Sequence, residues 1–199
     1  MLSVVPQREV IALWAKWYEV RGTLAAYDWF RPKAERKLWP RFVWKDFVPQ
    51  KYSFTTWQDV KGRLETKATK DMLGYMDMDQ NCPLCKSNIE PAYHHFLKCN
   101  KTREVWTAIK GWLGLRVTIN TIPSAIKWMT KKKASVVIRK TRRLALMTVV
   151  SLTWRTQNSL VHEGTSFEPK HIIFEVKKLA YATLYTIYPH DYVQMYLGV

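Results

Sequence analysis

Three cysteines and a histidine, Cys82, Cys85, His94 and Cys99, follow the spacing C-x2-C-x8-H-x4-C, and their types and order point to metal chemistry. A close cysteine pair carries two thiolates to one ion through a tight turn, and the later histidine and cysteine complete a tetrahedron. Four protein ligands leave no position for water or substrate, so the centre reads as structural rather than catalytic. Three sulfurs with one imidazole suit Zn2+ above other first-row ions. His95 adjoins His94, and a regular backbone lets one of the two face the ion while the other turns to a carbonyl or to solvent. Spacing leaves that choice open. Tyr93, Phe96 and Trp106 surround the ligands as material for a miniature core or for stacking on unpaired bases.

Nothing else in the chain reads as a reaction centre. The sixteen acidic residues are scattered and none lies between Glu104 and Glu163, so paired carboxylates for two-metal chemistry have no home. Asp77 and Asp79 read as capping or solvating groups on the approach to the first cysteine pair. The five histidines and the serines form no nucleophile–base pattern. No enzyme is expected.

The elements that hold the ligands are predicted to be helices. A chain of 199 residues with 47% hydrophobic content, ten Trp and ten Tyr can build a core without a metal staple. Val10, Leu13, Trp14 and Trp17 share one side of a helix over 5–30, broken near Gly22. Trp57, Val60, Leu64 and Leu73 fit the buried side of two short helices separated around 65–69. Val105, Trp106, Ile109 and Leu113 fit a helix over 102–115 that ends at Gly111 or Gly114. Three more helices are expected over about 122–130, 134–160 and 168–186, with Pro123 and Ser124 opening the first and Pro169 in the first turn of the last. Pro32, Pro40 and Pro49 break residues 31–49 into an aromatic-rich arm.

The predicted class is therefore mainly α, a small helical protein with an embedded CCHC zinc knuckle. Its divisions are an aromatic helical N-terminal arm (1–50), the knuckle domain (51–115) and a basic helical region (116–199). The longest apolar run, Leu144 to Trp154, is too short to span a bilayer and is entered through Arg142 and Arg143. Arg8, Glu9 and Lys16 interrupt any secretory signal core, and cysteines confined to one short window speak for a metal in a reducing compartment rather than a disulfide framework. An intracellular protein, nuclear or organellar, is expected.

Charge narrows the partner. The net charge is +16, and eleven Lys or Arg with no Asp or Glu fall between Glu104 and Glu163. Such a surface attracts polyanions by counterion release, nucleic acid first among them, although acidic proteins and anionic lipids share the chemistry. Lys131, Lys132, Lys133, Arg139, Lys140, Arg142 and Arg143 crowd the N-terminal side of the long helix, where cations oppose the helix dipole. They read as a solvated face or as a ridge that contacts phosphate. Lys98, Lys101 and Arg103 beside the knuckle extend the candidate nucleic-acid surface.

The same residues carry a family likeness. Trp44, Pro49 with Lys51, Phe54 with Trp57, then Gly62, Arg63, Leu64 and Thr66 precede Cys82, Pro83, Leu84 and Cys85, followed by His94, Phe96, Cys99, Val105 and Trp106. In this order they resemble the zinc-binding domain at the C-terminal end of reverse transcriptases of plant non-LTR retrotransposons. Trp154, Gln157, Asn158 and Val161 are similar to the Trp-x-x-Arg-Asn helix that follows it, with Gln157 where the family has Arg, so the likeness covers about 45–165. The resemblance implies His94 as the ligand histidine. It also implies a role in engaging template RNA or target DNA, while the Tyr-x-Asp-Asp of a polymerase palm is missing and the chain reads as a standalone or domesticated fragment.

The expected function is a noncatalytic nucleic-acid-binding accessory subunit, retrotransposon-derived, of a ribonucleoprotein or transcription-type complex, with structural Zn2+ and with RNA or DNA as partner. The alternative is a structural subunit docked into a larger assembly through the aromatic arm, where Trp14, Trp17, Trp29, Trp39 and Trp44 exceed what so short an arm needs for its own core.

Overall fold

A computed structural model describes residues 39–66, 81–86, 94–129 and 134–198, together with the helical Ala12. Its described secondary structure is helical: α1 (Trp39–Val43), α2 (Gln50–Val60), a π-helical turn (His94–Lys98), α3 (Asn100–Trp112), α4 (Ile122–Met129), α5 (Val136–Glu163), α6 (Pro169–Tyr185) and α7 (His190–Leu197). The expected helix over 5–30, apart from Ala12, and the second short helix after residue 65 lie outside the described residues.

Helix α5 is the strut. Every residue from Leu144 to Ser151 is buried, so this stretch is covered all round rather than along one stripe. The apolar run that was too short for a membrane lies in the core of the described helices, and no described helix is long and apolar enough to cross a bilayer. Its ends follow from local chemistry. Ser135 Oγ accepts the Ile138 N–H at 3.2 Å, a side-chain cap for the first turn. Gly164, at φ 69°, takes the left-handed conformation that stops the helix.

The other helices cover that strut. On α2 the buried side is hydroxyl-rich: Ser53 donates to the Val43 carbonyl at 2.8 Å, and Thr55 and Ser151 pair across the helix contact at 3.3 Å. Small side chains let α2 approach closely, and each buried hydroxyl named here has a partner. On the other flank α6 lays Ile172, Val176, Ala180 and Leu184 inward at helical spacing. Helix α3 contributes Val105, Trp106 and Ile109. Helix α4 opens with a reciprocal cap, Thr121 N–H to Ser124 Oγ at 3.2 Å and Ser124 N–H to Thr121 Oγ1 at 3.1 Å, and buries Ile122, Ala125, Ile126 and Met129.

The three helices expected over 122–130, 134–160 and 168–186 form with boundaries shifted by a few residues at most. Two further helices form that periodicity alone does not predict. Five-residue α1 lies inside the proline-broken segment, and α7 follows Pro189 and buries Val193 and Leu197 against Val137 and Leu184. Both are short amphipathic pieces whose apolar residues find partners far away in sequence, which a local pattern does not reveal.

Leu146 is fully buried at the middle of the strut, so Leu146→Ala should lower the unfolding free energy by about 2–5 kcal/mol in urea titration. Asp59, near the end of α2, carries a carboxyl that burial pushes up to about 7 from 3.8. A raised carboxyl binds its proton more tightly in the folded state, so its contribution is fully present below pH 4 and is lost as pH rises toward 7. Asp59→Asn should accordingly be more stable than the parent at pH 8, by up to about 4 kcal/mol, with the advantage gone at pH 3.5.

Candidate metal centre

The cluster is assembled from three pieces of backbone. The first is the turn from Cys82 to Lys86, closed by the Lys86 N–H on the Cys82 carbonyl at 2.7 Å, with Lys86 itself at φ 56°. That left-handed residue redirects the chain directly after the cysteine pair. The backbone N–H groups of Leu84 and Cys85 point to Cys82 Sγ.

The second piece is the π-helical turn His94–Lys98, in which the Cys99 N–H reaches the His94 carbonyl at 2.8 Å. Trp106 fixes this turn through Nε1–H, which donates to the Phe96 carbonyl at 2.6 Å. Consecutive side chains on a helical turn diverge, and here they part company completely. His94 Nε2 lies 3.4 Å from Cys85 Sγ, whereas the His95 ring is fully buried and meets Phe96 and Trp154 edge-on at centroid distances of 4.6 and 5.9 Å. Burial, with the neighbouring His94 as a smaller cause, pushes the His95 imidazole down to about 3, so it packs as a neutral ring.

The third piece is the start of α3. Cys99 occupies its N-cap position, and the N–H groups of Lys101 and Thr102 face its sulfur. Cys82 Sγ and Cys99 Sγ are 4.0 Å apart, and the four candidate ligand atoms of Cys82, Cys85, His94 and Cys99 all lie within 4.8 Å of one another. A tetrahedral zinc site with Zn–S near 2.3 Å and Zn–N near 2.0–2.1 Å requires S···S of about 3.8 Å and S···N of about 3.6 Å. Both the donor set and its spacing fit such an ion, and all four positions are taken by protein atoms.

Electrostatics favour thiolate at this point. A hydrogen bond from Cys82, the N–H groups of Lys101 and Thr102 and the Cys85 thiol hold Cys99 down at about 5 against the opposing effect of burial. Cys82 moves the other way, because it holds the proton of that pair and is buried. A cation in the middle would displace this proton and stabilise both sulfurs as thiolates. Leu160 near the end of α5 and Phe167 beyond it pack over Cys82, Leu84 and Cys99, so the cluster is roofed by the same strut that forms the core.

The candidate nucleic-acid residues separate into two groups. Lys98, Lys101 and Arg103 are exposed beside Cys99, with Arg103 Nη2 donating to the Lys98 carbonyl at 3.3 Å. Arg139, Lys140, Arg142 and Arg143 lie half-buried on the N-terminal part of α5, and Lys131, Lys132 and Lys133 lie outside the described residues. Arg143, the nearest of these four to the knuckle along α5, is roughly 16 Å of helix from Trp154, the residue against His95.

The second group is not a simple solvated ridge. Arg142 lies over the Trp128 ring at 5.0 Å, while Arg143 sits over Phe42 at 4.7 Å and Lys140 between Phe47 and Tyr188 at 5.1 and 4.7 Å. Burial lowers the pKa of both Arg142 and Arg143, and the charge of Arg139 adds to the effect on Arg143. Arg139, Lys140 and Arg143 also line a cleft of about 660 Å³, to which the chain adds Lys45 and Phe47. Sequence reasoning misses those two, since nothing local ties residues 45 and 47 to a helix that begins at 136.

Chelation with metal loss verified should loosen the Cys82–Cys99 segment and the first turn of α3, read as faster amide exchange there, while the α5–α6 core keeps its protection. His94→Ala should abolish stoichiometric metal in elemental analysis. His95→Ala should keep the metal yet cost about 2–4 kcal/mol through weaker packing on Phe96 and Trp154. Equal metal content in both variants would contradict the placement of the two rings.

A family model described as zinc-binding in reverse transcriptase matches residues 23–106. The match begins further upstream than the motifs that resemble it and ends at Trp106, so all four cluster residues lie inside it and α5 lies outside. No curated protein and no solved structure matches the chain. A domain similar to the zinc-binding domain of reverse transcriptases is therefore present over residues 23–106 of this chain.

Proposed function

We propose that the chain is a noncatalytic, nucleic-acid-binding accessory protein whose reverse-transcriptase-type domain is held by structural Zn2+ on Cys82, Cys85, His94 and Cys99. One observation carries the reading: a closed four-donor cluster sits beside the exposed cations Lys98, Lys101 and Arg103, with further cations gathered on α5. The matched domain is the zinc-binding module of reverse transcriptases rather than their polymerase core, which supports a contact role over chemistry. We place the protein, as a retrotransposon-derived module, in a ribonucleoprotein or transcription-type complex of the nucleus or an organelle.

A protein-docking role is the second reading. Phe174 is 60% exposed on α6 and Met195 is 66% exposed on α7, with Tyr192 and Ile187 also exposed. These are large apolar residues on a described surface that a docked subunit would cover. Of the aromatic arm, Trp39 is half-buried and Trp44 exposed, and Trp14, Trp17 and Trp29 lie outside the described residues.

Zinc-loaded protein should bind single-stranded RNA or DNA with log K falling against log salt at a slope of about −3 or steeper. Reversing Lys98, Lys101 and Arg103 to Glu should weaken binding about tenfold with the melting temperature unchanged. Affinity that stays constant from low to physiological salt contradicts the nucleic-acid reading. Purification from native extract that yields a stoichiometric protein partner after nuclease, absent with Phe174→Asp/Met195→Asp, favours the docking reading instead.

A further inference from the structure

The cleft at the N-terminal end of α5 has an arrangement that folding alone does not explain. Val136, Arg139, Lys140 and Arg143 stand at i, i+3, i+4 and i+7, which sets them on one face of the helix. Lys45 faces the same cleft from the loop after α1. Cations three and four residues apart repel one another, and the first turn of α5 holds no acidic residue to offset them or the positive end of the helix dipole. None of the four cleft cations forms an ion pair with a carboxylate among the described residues.

Rings hold them instead. Lys140 and Arg143 lie over Phe47 at 5.1 and 5.7 Å, and Arg139 Nη1 donates to the Ala134 carbonyl at 2.7 Å. A ring face or a carbonyl fixes a cation in place without cancelling its charge, whereas a carboxylate would do both. The cleft therefore keeps several positioned positive charges that these contacts do not neutralise, which is the state an anion site requires. Arg143 Nε is in addition buried without a hydrogen-bond partner among the described residues.

The remaining lining selects among anions. Phe47, Met129 and Val136 give the cleft an apolar wall beside its cations, and its volume of about 660 Å³ is that of a small-ligand site. An acidic side chain has no use for such a wall; a nucleotide places phosphate on the guanidinium groups and sugar or base against it. Arg139 and Arg143 are one helical turn apart, about 6 Å along the axis, a separation that suits consecutive phosphates of one strand. A base reaches the wall when it is unstacked, which favours single strands over duplex.

We infer that this cleft binds a phosphodiester segment of single-stranded nucleic acid, with Arg139 and Arg143 on phosphate oxygens, Lys45 and Lys140 flanking them, and Phe47 and Val136 against sugar or base. The inference rests on the nucleic-acid reading above and deepens it, by adding a site outside the knuckle.

The test measures fluorescence anisotropy of labelled single-stranded RNA and DNA of one sequence against the zinc-loaded full chain over a salt series. Arg139→Gln/Arg143→Gln should reduce affinity about tenfold for at least one strand type and flatten the salt slope by about 1.4, at about 0.7 for each phosphate no longer neutralised. Lys45→Gln, on an exposed loop residue, should weaken binding several-fold and serves if the double variant melts early. Parent-like affinity and slope in folded cleft variants, while Lys98→Gln/Lys101→Gln/Arg103→Gln weakens binding, overturns the cleft and leaves the broader reading intact. Failure of the parent protein to bind either strand overturns both. Displacement of the strand by polyglutamate as readily as by unlabelled strand, at equal charge, assigns the cleft to carboxylates and overturns its ligand.

Discussion

A helix buried on every side has to be enclosed, and that requirement on Leu144–Ser151 of α5 organises the molecule. One neighbour cannot satisfy it. Hydroxyl-lined α2 covers one side, aliphatic α6 another, and α3, α4 and α7 fill the remaining sectors. Where small polar residues on α2 meet the strut, Ser53 and Thr55 find partners on Val43 and Ser151, so close approach leaves these two hydroxyls satisfied. The capped start at Ser135 and the left-handed stop at Gly164 fix the length of strut available to be covered.

The four-residue cluster belongs to this scheme rather than standing apart from it. His95 inserts between Phe96 and Trp154, Trp106 binds the Phe96 carbonyl, and Leu160 and Phe167 close over the sulfurs. Adjacent histidines thus do opposite work: His94 turns to the sulfurs while His95 anchors the same turn in the core. A metal at this junction would cross-link the cysteine turn, the π-helical turn and the N-terminus of α3 where they meet the end of the strut. Its effect on any binding surface is then one of position, since Lys98, Lys101 and Arg103 ride on those same segments.

Charge follows a related logic. With 32 basic and 16 acidic residues, one-to-one pairing would still leave half of the cations without a carboxylate. Many of them find aromatic rings: Lys61 on Trp39, Arg63 on Trp57, Arg142 on Trp128 and Lys177 on Trp112, as well as the residues of the cleft. Each such contact contributes about 0.5–1 kcal/mol at exposed sites and leaves the charge available to a polyanion. The abundance of tryptophan and the excess of lysine and arginine are therefore two sides of one surface.

What the sequence by itself determined was local. The C-x2-C-x8-H-x4-C spacing picked out the four residues that the fold gathers into one cluster, and 3.6-residue periodicity with Pro123, Ser124 and Pro169 placed α4, α5 and α6 to within a few residues. Spacing left His94 and His95 equivalent, and family likeness chose between them; the separation of their rings is a property of the π-helical turn and of Trp154, about sixty residues along. The basic run was legible as charge but not as arrangement. Arg142 stacks on Trp128 while Arg139, Lys140 and Arg143 face a cleft completed by Lys45 and Phe47. Tertiary structure alone decided that, because which cation meets which ring depends on how α1, α4 and α7 close over α5, and contacts between segments so far apart leave no periodic trace in the chain.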